Sequence, residues 1–268
     1  MLVDAIMDAL DKAAAEREQS NRIGAHNVGT CVRKLWYTVH GYKGEPLQGR
    51  ALAVFDLGNR VEDAIMAFLE QAKVAHIRAA RQQDAVYVEE LGGRVVPDFL
   101  FEVDGETIVG EIKSMSDFAF ARAERGDIDD QYLCQVEVYM RAFGTKRGLL
   151  VAYRKETSHL AEVLVERDDA RWERIKANVA QACADTPPER PYKLAIDCED
   201  CGGSGKTPAK GLAHKACNGT GRIPYGPIIP RFPCGYCQYR EECWGALEMV
   251  MDPKGRPVWR LTGEGAAA

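Results

Sequence analysis

Two carboxylates, Asp98 and Glu111, lie at equal distances on either side of the pair Asp104-Gly105. An Asp-Gly pair between two apolar-rich runs is typical of a two-residue β-hairpin turn. A type I′ turn here makes the two carboxylates face each other with Cβ atoms roughly 4.5–5.5 Å apart, where like charges destabilise a sheet. A divalent cation between them would turn that repulsion into attraction, so the pair is a candidate metal site.

Lys113 lies two residues beyond Glu111, so its side chain points to the same face of the strand. This face then carries two carboxylates and one ammonium group. Oxygen ligands of this kind suit Mg²⁺ or Mn²⁺, and an ammonium group can offset charge on a phosphate. The same pattern is also common on solvated surfaces, so other parts of the chain have to support a catalytic interpretation.

The composition is that of a folded globule, with 268 residues, 46% hydrophobic content and a net charge of -5. Because the net charge is negative, any contact with DNA has to be local or assisted by a metal. The N-terminus carries acids where a signal peptide needs bases, and apolar runs stay well below the roughly 18 residues of a membrane span. We therefore expect a soluble, cytoplasmic protein without a membrane partner.

Apolar periodicity predicts helices and strands on both sides of the hairpin. We expect helices over 1–20, 51–73, 118–125, 130–143 and 168–183, and a further helix that begins near Thr30, with Thr30 as its cap. Buried strands are expected over 148–153 and 160–165. From about Asp197 the chain is rich in Cys, Gly and Pro and has few residues for a core. Order in that part should depend on bound metal.

This order of elements, with Pro97-Asp98 and Glu111-Ile112-Lys113 on the hairpin, resembles the PD-(D/E)xK nuclease superfamily. The resemblance implies an α/β fold with a restriction-endonuclease-like core, in which helices flank a mixed central sheet, and a small metal-stabilised C-terminal segment. The implied activity is metal-dependent hydrolysis of DNA.

Two helical motifs resemble those of the RecB-like exonucleases within this superfamily. Gly58 to Glu62 matches G-x-x-x-(H/E), and Gln135 to Tyr139 matches Q-x-x-x-Y, although Gln131 lies one turn earlier and could be confused with Gln135. The resemblance implies that Mg²⁺ or Mn²⁺ is held by Glu62, Asp98, Glu111 and the carbonyl of Ile112. It implies a catalytic group made of Asp98, Glu111, Lys113, Gln135 and Tyr139.

Four cysteines surround this region, one before it and three after it. Cys31 lies in a Cys-x-Arg-Lys-x-x-Tyr context, and Cys234, Cys237 and Cys243 lie near the end of the chain. This layout resembles CRISPR-associated and phage exonucleases that carry a 4Fe-4S cluster, which four thiolates can hold. Zinc accepts the same four ligands, so ligand type alone does not separate the two metals.

A second set of metal ligands lies between these cysteines, in two similar halves with the pattern (C/H)-x-x-C-x-G-x-G. The halves contain Cys198 with Cys201 and His214 with Cys217, and they resemble half of a DnaJ-type zinc finger. Four ligands at this spacing suit tetrahedral zinc. A rival partition would join Cys198, Cys201, Cys234 and Cys237 in one zinc ribbon. Cys134 and Cys183 are interpreted as buried or free thiols.

The predicted organisation has four segments. These are a nuclease core with an N-terminal helical region over 1–195, a zinc-finger insertion over 196–223, an Fe-S segment over 224–250 and a flexible tail over 251–268.

The leading hypothesis is an exonuclease acting on single-stranded DNA ends in recombination, repair, phage replication or CRISPR adaptation, with a helicase, recombinase or integrase as partner. Candidate DNA contacts are Arg33, Lys34, Arg122 and Arg125. The alternatives are a non-catalytic nucleic-acid or protein-binding module with structural metal sites, and a DnaJ-like thiol or chaperone role supported by the finger alone.

Overall fold

The computed structural model describes residues 2–74, 76–78, 84–198, 201, 204, 206–207, 210–213, 215–217, 219–223, 227–252 and 254–262. The chain divides into two compact units, Met1–Gly41 with Pro46–Pro188, and Tyr42–Glu45 with Glu189–Ala268. The division after Pro188 lies close to the boundary at 195 that we expected. The short segment 42–45 belongs to the second unit, although it lies far from it in sequence.

The described part of the first unit alternates helices and strands. Its helices are α1 (Leu2–Glu16), α2 (Val32–Val39), α3 (Gly49–Gln71), α4 (Asp117–Ala123), α5 (Asp130–Phe143) and α6 (Asp169–Ala182). Its strands are β1 (His76–Arg78), β2 (Val86–Val88), β3 (Gly93–Val95), β4 (Phe99–Val103), β5 (Glu106–Met115), β6 (Arg147–Arg154) and β7 (Leu160–Glu166).

Five strands form the central sheet in the order β1-β4-β5-β6-β7. The central pair β5 and β6 is parallel, and the other three pairs are antiparallel. Strands β2 and β3 form a separate antiparallel pair. The fold is therefore mixed α/β with a mixed central sheet flanked by helices, which confirms the predicted fold class.

The predicted turn at Asp104-Gly105 is confirmed. Both residues have positive φ, 53° and 76°, as a type I′ turn requires. Asp tolerates this left-handed region and glycine adopts it without a Cβ penalty. The register that follows pairs Phe99 with Gly110 and Val103 with Glu106, so the strands are aligned as the turn predicted.

Helices cover both faces of the sheet because side chains alternate along each strand. On one face, Phe99 and Ile112 pack against Val61, Ile65 and Met66 of α3. On the other face, Val109 belongs to the main core with α5, which also includes residues of α2 and α6. Leu150 and Ala152 of β6 pack against α4. The sheet is thus fixed between α3 and the group of α4 and α5.

Three helices of this unit begin at side-chain caps. In each, a side-chain oxygen accepts a hydrogen bond from the backbone N–H of the first turn. Ser116 accepts from Ala119, Asp129 from Gln131, and Asp168 from both Ala170 and Arg171. The cap expected at Thr30 is wrong, because α2 begins after Cys31 and the Thr30 hydroxyl donates to the carbonyl of Asn27 instead.

The second unit contains α7 (Arg240–Trp244) and a hairpin of β8 (Leu247–Met251) and β9 (Pro257–Leu261). We expected residues 251–268 to form a flexible tail, but the structure places Pro257–Leu261 in a strand. Two contacts explain the order: Val258 and Leu261 are buried, and the Asp252 carboxylate accepts hydrogen bonds from the backbones of Lys254 and Arg256.

Segment 42–45 is tied to this second unit by one residue in particular. The backbone of Glu45 donates to the carbonyl of Gln238, and its carboxylate forms an ion pair with Arg240.

Within the described residues, every helix is too short or too polar to cross a membrane.

Candidate active site

The hairpin brings Asp98 against the backbone of β5. The backbone of Asp98 donates to the carbonyl of Gly110 at 3.1 Å, and its Oδ2 accepts from the backbone of Ile112 at 2.7 Å. These two bonds hold Asp98 against β5 just beyond the last pair of the ladder, Phe99 with Gly110, so the direct pairing of Asp98 with Glu111 stays a prediction.

Glu111 is 3% exposed, so its carboxylate depends on protein partners. Its Oε1 accepts from Lys113 Nζ at 2.5 Å and from Gln135 Nε2 at 2.7 Å. Its Oε2 is buried and has no hydrogen-bond partner among the described residues. A buried carboxylate oxygen without a partner costs free energy, and a bound cation would remove that cost.

Burial and neighbouring negative charge raise the pKa values of these two carboxyl groups. Burial is the largest cause and the charge of Glu111 the second, and together they raise the pKa of Asp98 to about 8. Burial also raises the pKa of Glu111, despite the opposing effect of Lys113. Glu62 contributes to raising both pKa values, so the three carboxylates lie within electrostatic reach of one another. Carboxyl groups that favour their neutral forms without a cation, and lie this close together, are candidates for a divalent cation site.

Glu137 provides a contrast within the same unit. It is also completely buried, but Arg141 and Arg171 pair with its two oxygens at 2.8 and 3.2 Å. Its Oε2 additionally accepts from the backbone of Asp168. Glu137 is thus neutralised by two arginines, whereas Glu111 pairs with one ammonium group and has one oxygen without a hydrogen bond among the described residues.

Lys113 is held at the site from two sides. Its Nζ contacts Glu111 and lies 5.4 Å from the centre of the Tyr132 ring. Burial is the largest single effect and lowers the pKa of Lys113, but the charge and hydrogen bond of Glu111, together with Asp98 and Tyr132, outweigh it and raise the pKa of the ammonium group. Lys113 therefore stays protonated, with its head group fixed beside the carboxylates.

Helix α5 supports Glu111 through the predicted Gln135 and Tyr139. The Nε2 of Gln135 donates both to Glu111 and, at 2.9 Å, to the Tyr139 hydroxyl. Burial, and next the charge of Glu111, raise the pKa of Tyr139 well above its usual value. Gln131 is not part of this group, because its side chain donates to the backbone carbonyl of His26.

Sequence reasoning missed Tyr132 and His26, which lie close to Lys113. Burial lowers the pKa of His26, and Lys113 and Lys34 lower it further. The carbonyl of His26 is held by Gln131, 105 positions later in the chain. No local pattern predicts a contact over that separation. Tyr132, in contrast, lies one turn before Gln135 and could have been found from helical spacing.

The four candidate DNA contacts lie in different environments. Arg33 donates to the carbonyl of Pro188 at 2.5 Å and lies over the ring of Tyr37, so it is engaged within the fold. Arg122 forms two hydrogen bonds with Asp127 at the end of α4. Lys34 lies within electrostatic reach of His26. The hydrogen bond from Arg122 lowers the pKa of Asp127, and the charge of Arg125 adds a smaller effect in the same direction.

Three of the four predicted zinc ligands converge in the second unit. The ligand atoms of Cys198, Cys201 and Cys217 lie within 4.8 Å of one another, and all three residues are buried. The sulfurs of Cys201 and Cys217 are 3.8 Å apart, which fits two thiolates on one tetrahedral zinc with Zn–S bonds of about 2.3 Å. The fourth predicted ligand, His214, lies outside the described residues.

The two halves of this motif share one hydrogen-bond pattern. The hydroxyl of Ser204 donates to the carbonyl of Cys201, and that of Thr220 to the carbonyl of Cys217. The same hydroxyls accept from the backbones of Lys206 and Arg222. The sequence repeat is therefore also a repeat of local structure.

The four predicted Fe-S ligands are divided between the two units, with Cys31 in the first and Cys234, Cys237 and Cys243 in the second.

The rival zinc ribbon is not supported, because Cys217 rather than Cys234 and Cys237 joins Cys198 and Cys201. Cys134 is buried next to Asp130 and Arg174, and Cys183 is an exposed free thiol at the end of α6.

No family model and no curated protein matches the chain. Among solved structures, it is similar to an alkaline exonuclease from Laribacter hongkongensis, with 16% identity, 65% of this chain and 90% of that chain covered, and a TM-score of 0.46. A phage-related exonuclease from Haemophilus somnus gives 15% identity, coverage of 56% and 77%, and a TM-score of 0.38. Because these identities and TM-scores are low, the function of this chain has to be inferred from its own residues.

Proposed function

We propose that this chain is a metal-dependent deoxyribonuclease of the PD-(D/E)xK type, an exonuclease that hydrolyses phosphodiester bonds from single-stranded DNA ends. The observation that carries the proposal is the state of Asp98 and Glu111. The half-buried Asp98 and the buried Glu111 both have raised pKa values. Glu111 Oε2 has no hydrogen-bond partner among the described residues, and a protonated lysine lies beside the two carboxyl groups.

The donor set fits a hard divalent cation. Glu62, Asp98, Glu111 and the carbonyl of Ile112 offer oxygen ligands, which Mg²⁺ and Mn²⁺ prefer over nitrogen or sulfur. The unsatisfied Oε2 of Glu111 supports this assignment from the structure itself. When bound, such a cation polarises a phosphate and stabilises the oxygen that leaves.

The protein side chains have separable roles in this proposal. Lys113 would orient the attacking water and offset negative charge that develops on the phosphate. Gln135 and Tyr139 would hold Glu111 in place through the hydrogen bonds described above. Lys34 and Arg125 remain candidate contacts to the DNA backbone, while the bonds of Arg33 and Arg122 within the fold weigh against those two.

The cysteine sites would be structural. We assign zinc to Cys198, Cys201 and Cys217 with His214 as the fourth ligand, supported by the convergence of the three sulfurs. For Cys31, Cys234, Cys237 and Cys243 we retain the proposal of a 4Fe-4S cluster, which rests on the resemblance in sequence. The proposed settings are recombination, repair, phage replication or CRISPR adaptation, with a helicase, recombinase or integrase as partner.

The test is digestion of single- and double-stranded DNA, labelled at the 5′ or the 3′ end, with and without Mn²⁺ or Mg²⁺. We expect loss of label from single-stranded ends only when a cation is present. Lys113→Ala should slow digestion by about 100-fold or more, the usual contribution of such a group. A matched control is Lys176→Ala, because Lys176 pairs with Glu173 on the surface of α6. Digestion by Lys113→Ala at the wild-type rate would contradict the assigned mechanism.

A further inference from the structure

The ammonium group of Lys113 needs support from more than one side to keep a fixed position. A lysine side chain has a flexible four-carbon stem and an ammonium group whose donors rotate freely. The hydrogen bond to Glu111 Oε1 therefore restrains how far Nζ lies from the carboxylate, but not the direction in which it lies. A second contact is required before the ammonium group can orient a water molecule or a phosphate.

The ring of Tyr132 provides this second contact. Lys113 Nζ lies 5.4 Å from the centre of the ring, within the roughly 6 Å over which an aromatic face attracts a cation. Burial is the largest effect on the Tyr132 hydroxyl and raises its pKa, so the side chain is a neutral phenol at neutral pH. The attraction is therefore between a cation and a ring face, and not between two ions.

The position of Tyr132 is itself fixed by its surroundings. The backbone of Tyr132 donates to the carbonyl of the cap residue Asp129 at 2.9 Å, at the start of α5. The half-buried side chain packs against a buried cluster from β5, α4 and β6, made of Met115, Phe120, Ala123, Leu150 and Ala152. The ring is thus held by both a helix and the core beside the sheet.

One face of α5 carries all the side chains that support the pair of Glu111 and Lys113. Tyr132, Gln135 and Tyr139 follow one another at intervals of three and four residues, so they lie on the same side of the helix. Tyr132 contacts Lys113. Gln135 donates to Glu111 and to Tyr139. A single helix therefore sets the positions of the ammonium group and the carboxylate relative to each other.

We propose that Tyr132 is a positioning residue, whose ring holds the ammonium group of Lys113 beside the carboxylates for the hydrolysis of DNA. The catalytic consequence rests on the proposed function, but the contact itself does not. The simpler alternative is that Tyr132 only fills space in the cluster. The two roles depend on different properties of the ring, because packing depends on its shape, whereas attraction of a cation depends on the electron density of its face.

Fluorinated phenylalanines separate these two properties, because fluorine withdraws electron density from the ring face and changes its shape little. Tyr132→Phe should keep kcat within about twofold, since the ring is retained. Mono-, di- and trifluorinated phenylalanine at the same position should then lower kcat stepwise, by roughly two- to fivefold in total. Tyr132→Leu should lower kcat by about tenfold or more, because Lys113 is no longer oriented. All variants should keep the wild-type KM for DNA and the wild-type affinity for Mn²⁺.

A second measurement does not depend on activity. Urea unfolding of the full chain without divalent cation, for the wild type, Tyr132→Leu, Lys113→Met and the double variant, gives the coupling between the two side chains. The coupling should amount to roughly two- to fivefold in the unfolding equilibrium constant. The matched control combines Tyr132→Leu with Lys176→Met, which should show no coupling because Lys176 pairs with Glu173 on α6.

A kcat that stays constant along the fluorinated series, or an absence of coupling, would overturn the proposal and leave Tyr132 as a packing residue. Its failure is distinguishable from that of the proposed function. A chain that shows the coupling but digests no DNA keeps the contact and loses the nuclease assignment. A chain that digests DNA with a kcat insensitive to fluorination keeps the nuclease assignment and loses the role of Tyr132.

Discussion

At the scale of single residues, the decisive comparison is between two buried glutamates of one unit. Glu137 is neutralised by two arginines, and Glu111 is left with an oxygen that has no partner among the described residues. Folding tolerates a buried charge when it is fully paired and opposes it otherwise. The incomplete pairing of Glu111 is therefore a cost to stability that a bound cation would offset.

The raised pKa of Asp98 predicts a gain in stability from its removal. The pKa of Asp98 rises from 3.8 to about 8 on folding. Ionisation of Asp98 therefore lowers the free energy of unfolding, whereas the protonated carboxyl group does not. The penalty is absent below about pH 4 and grows up to about pH 8. Asp98→Asn avoids the penalty and can still accept from the backbone of Ile112.

Urea unfolding at pH 5 and pH 8, without added divalent cation, measures this effect. Asp98→Asn should be more stable than the wild type at pH 8, by on the order of 1–3 kcal/mol, with a smaller advantage at pH 5. An advantage that is equal at both pH values would show that the ionisation of Asp98 is not its cause.

Most residues of the candidate active site could be predicted from the sequence. Asp98, Glu111, Lys113, Gln135 and Tyr139 were chosen from motifs, and the structure brings them into one hydrogen-bonded and electrostatic group. Motif spacing on a strand or a helix determines which side chains share a face, so these could be predicted. The position of His26 could not, because it depends on how a loop packs on α5.

At the scale of elements, strong periodicity gave the best predictions. Helix α5 has the expected bounds, 130–143, and β6 and β7 extend the expected strands by one or two residues. The strand over Pro257–Leu261 was missed, because its order depends on partners elsewhere. The backbone of Ile229 donates to the carbonyl of Trp259, and that of Leu261 to the carbonyl of Pro227.

The hairpin turn allows a matched pair of glycine substitutions. Gly105 has a φ of 76°, so Gly105→Ala should lower the free energy of unfolding by about 1 kcal/mol. Gly58 lies within α3 without positive φ, and an added Cβ would meet only Ser114 Oγ at 3.9 Å. Gly58→Ala should therefore raise the free energy of unfolding by up to about 1 kcal/mol. Chemical denaturation checks both, and effects of the same sign would contradict the assignment of the turn.

At the scale of the whole molecule, the chain joins a unit stabilised by an apolar core to one rich in cysteine. The second unit has the small hydrophobic cluster of Cys198, Cys201 and Cys217, whose convergence suits a metal better than packing. The sequence repeat predicted this group, but the cysteine count alone allowed two partitions, which only the folded backbone separates.

The zinc assignment predicts a specific change in metal content. Cys217→Ser should lose about one zinc per chain, because one of three converging thiolates is removed. Cys183→Ser is the matched control, since Cys183 is exposed at the end of α6. Zinc released by a thiol-modifying reagent and measured with a chromogenic chelator gives the result. Unchanged zinc in Cys217→Ser would exclude Cys217 as a ligand.

The central claim is that Asp98 and Glu111 share one catalytic cation, and titration of Mn²⁺ followed by electron paramagnetic resonance tests it most directly. The account predicts that the wild type binds Mn²⁺, that Asp98→Asn and Glu111→Gln bind it at least about tenfold more weakly, and that Glu102→Gln, an exposed carboxylate on the same β4 strand, binds it normally. Undiminished Mn²⁺ binding by both Asp98→Asn and Glu111→Gln would contradict the account.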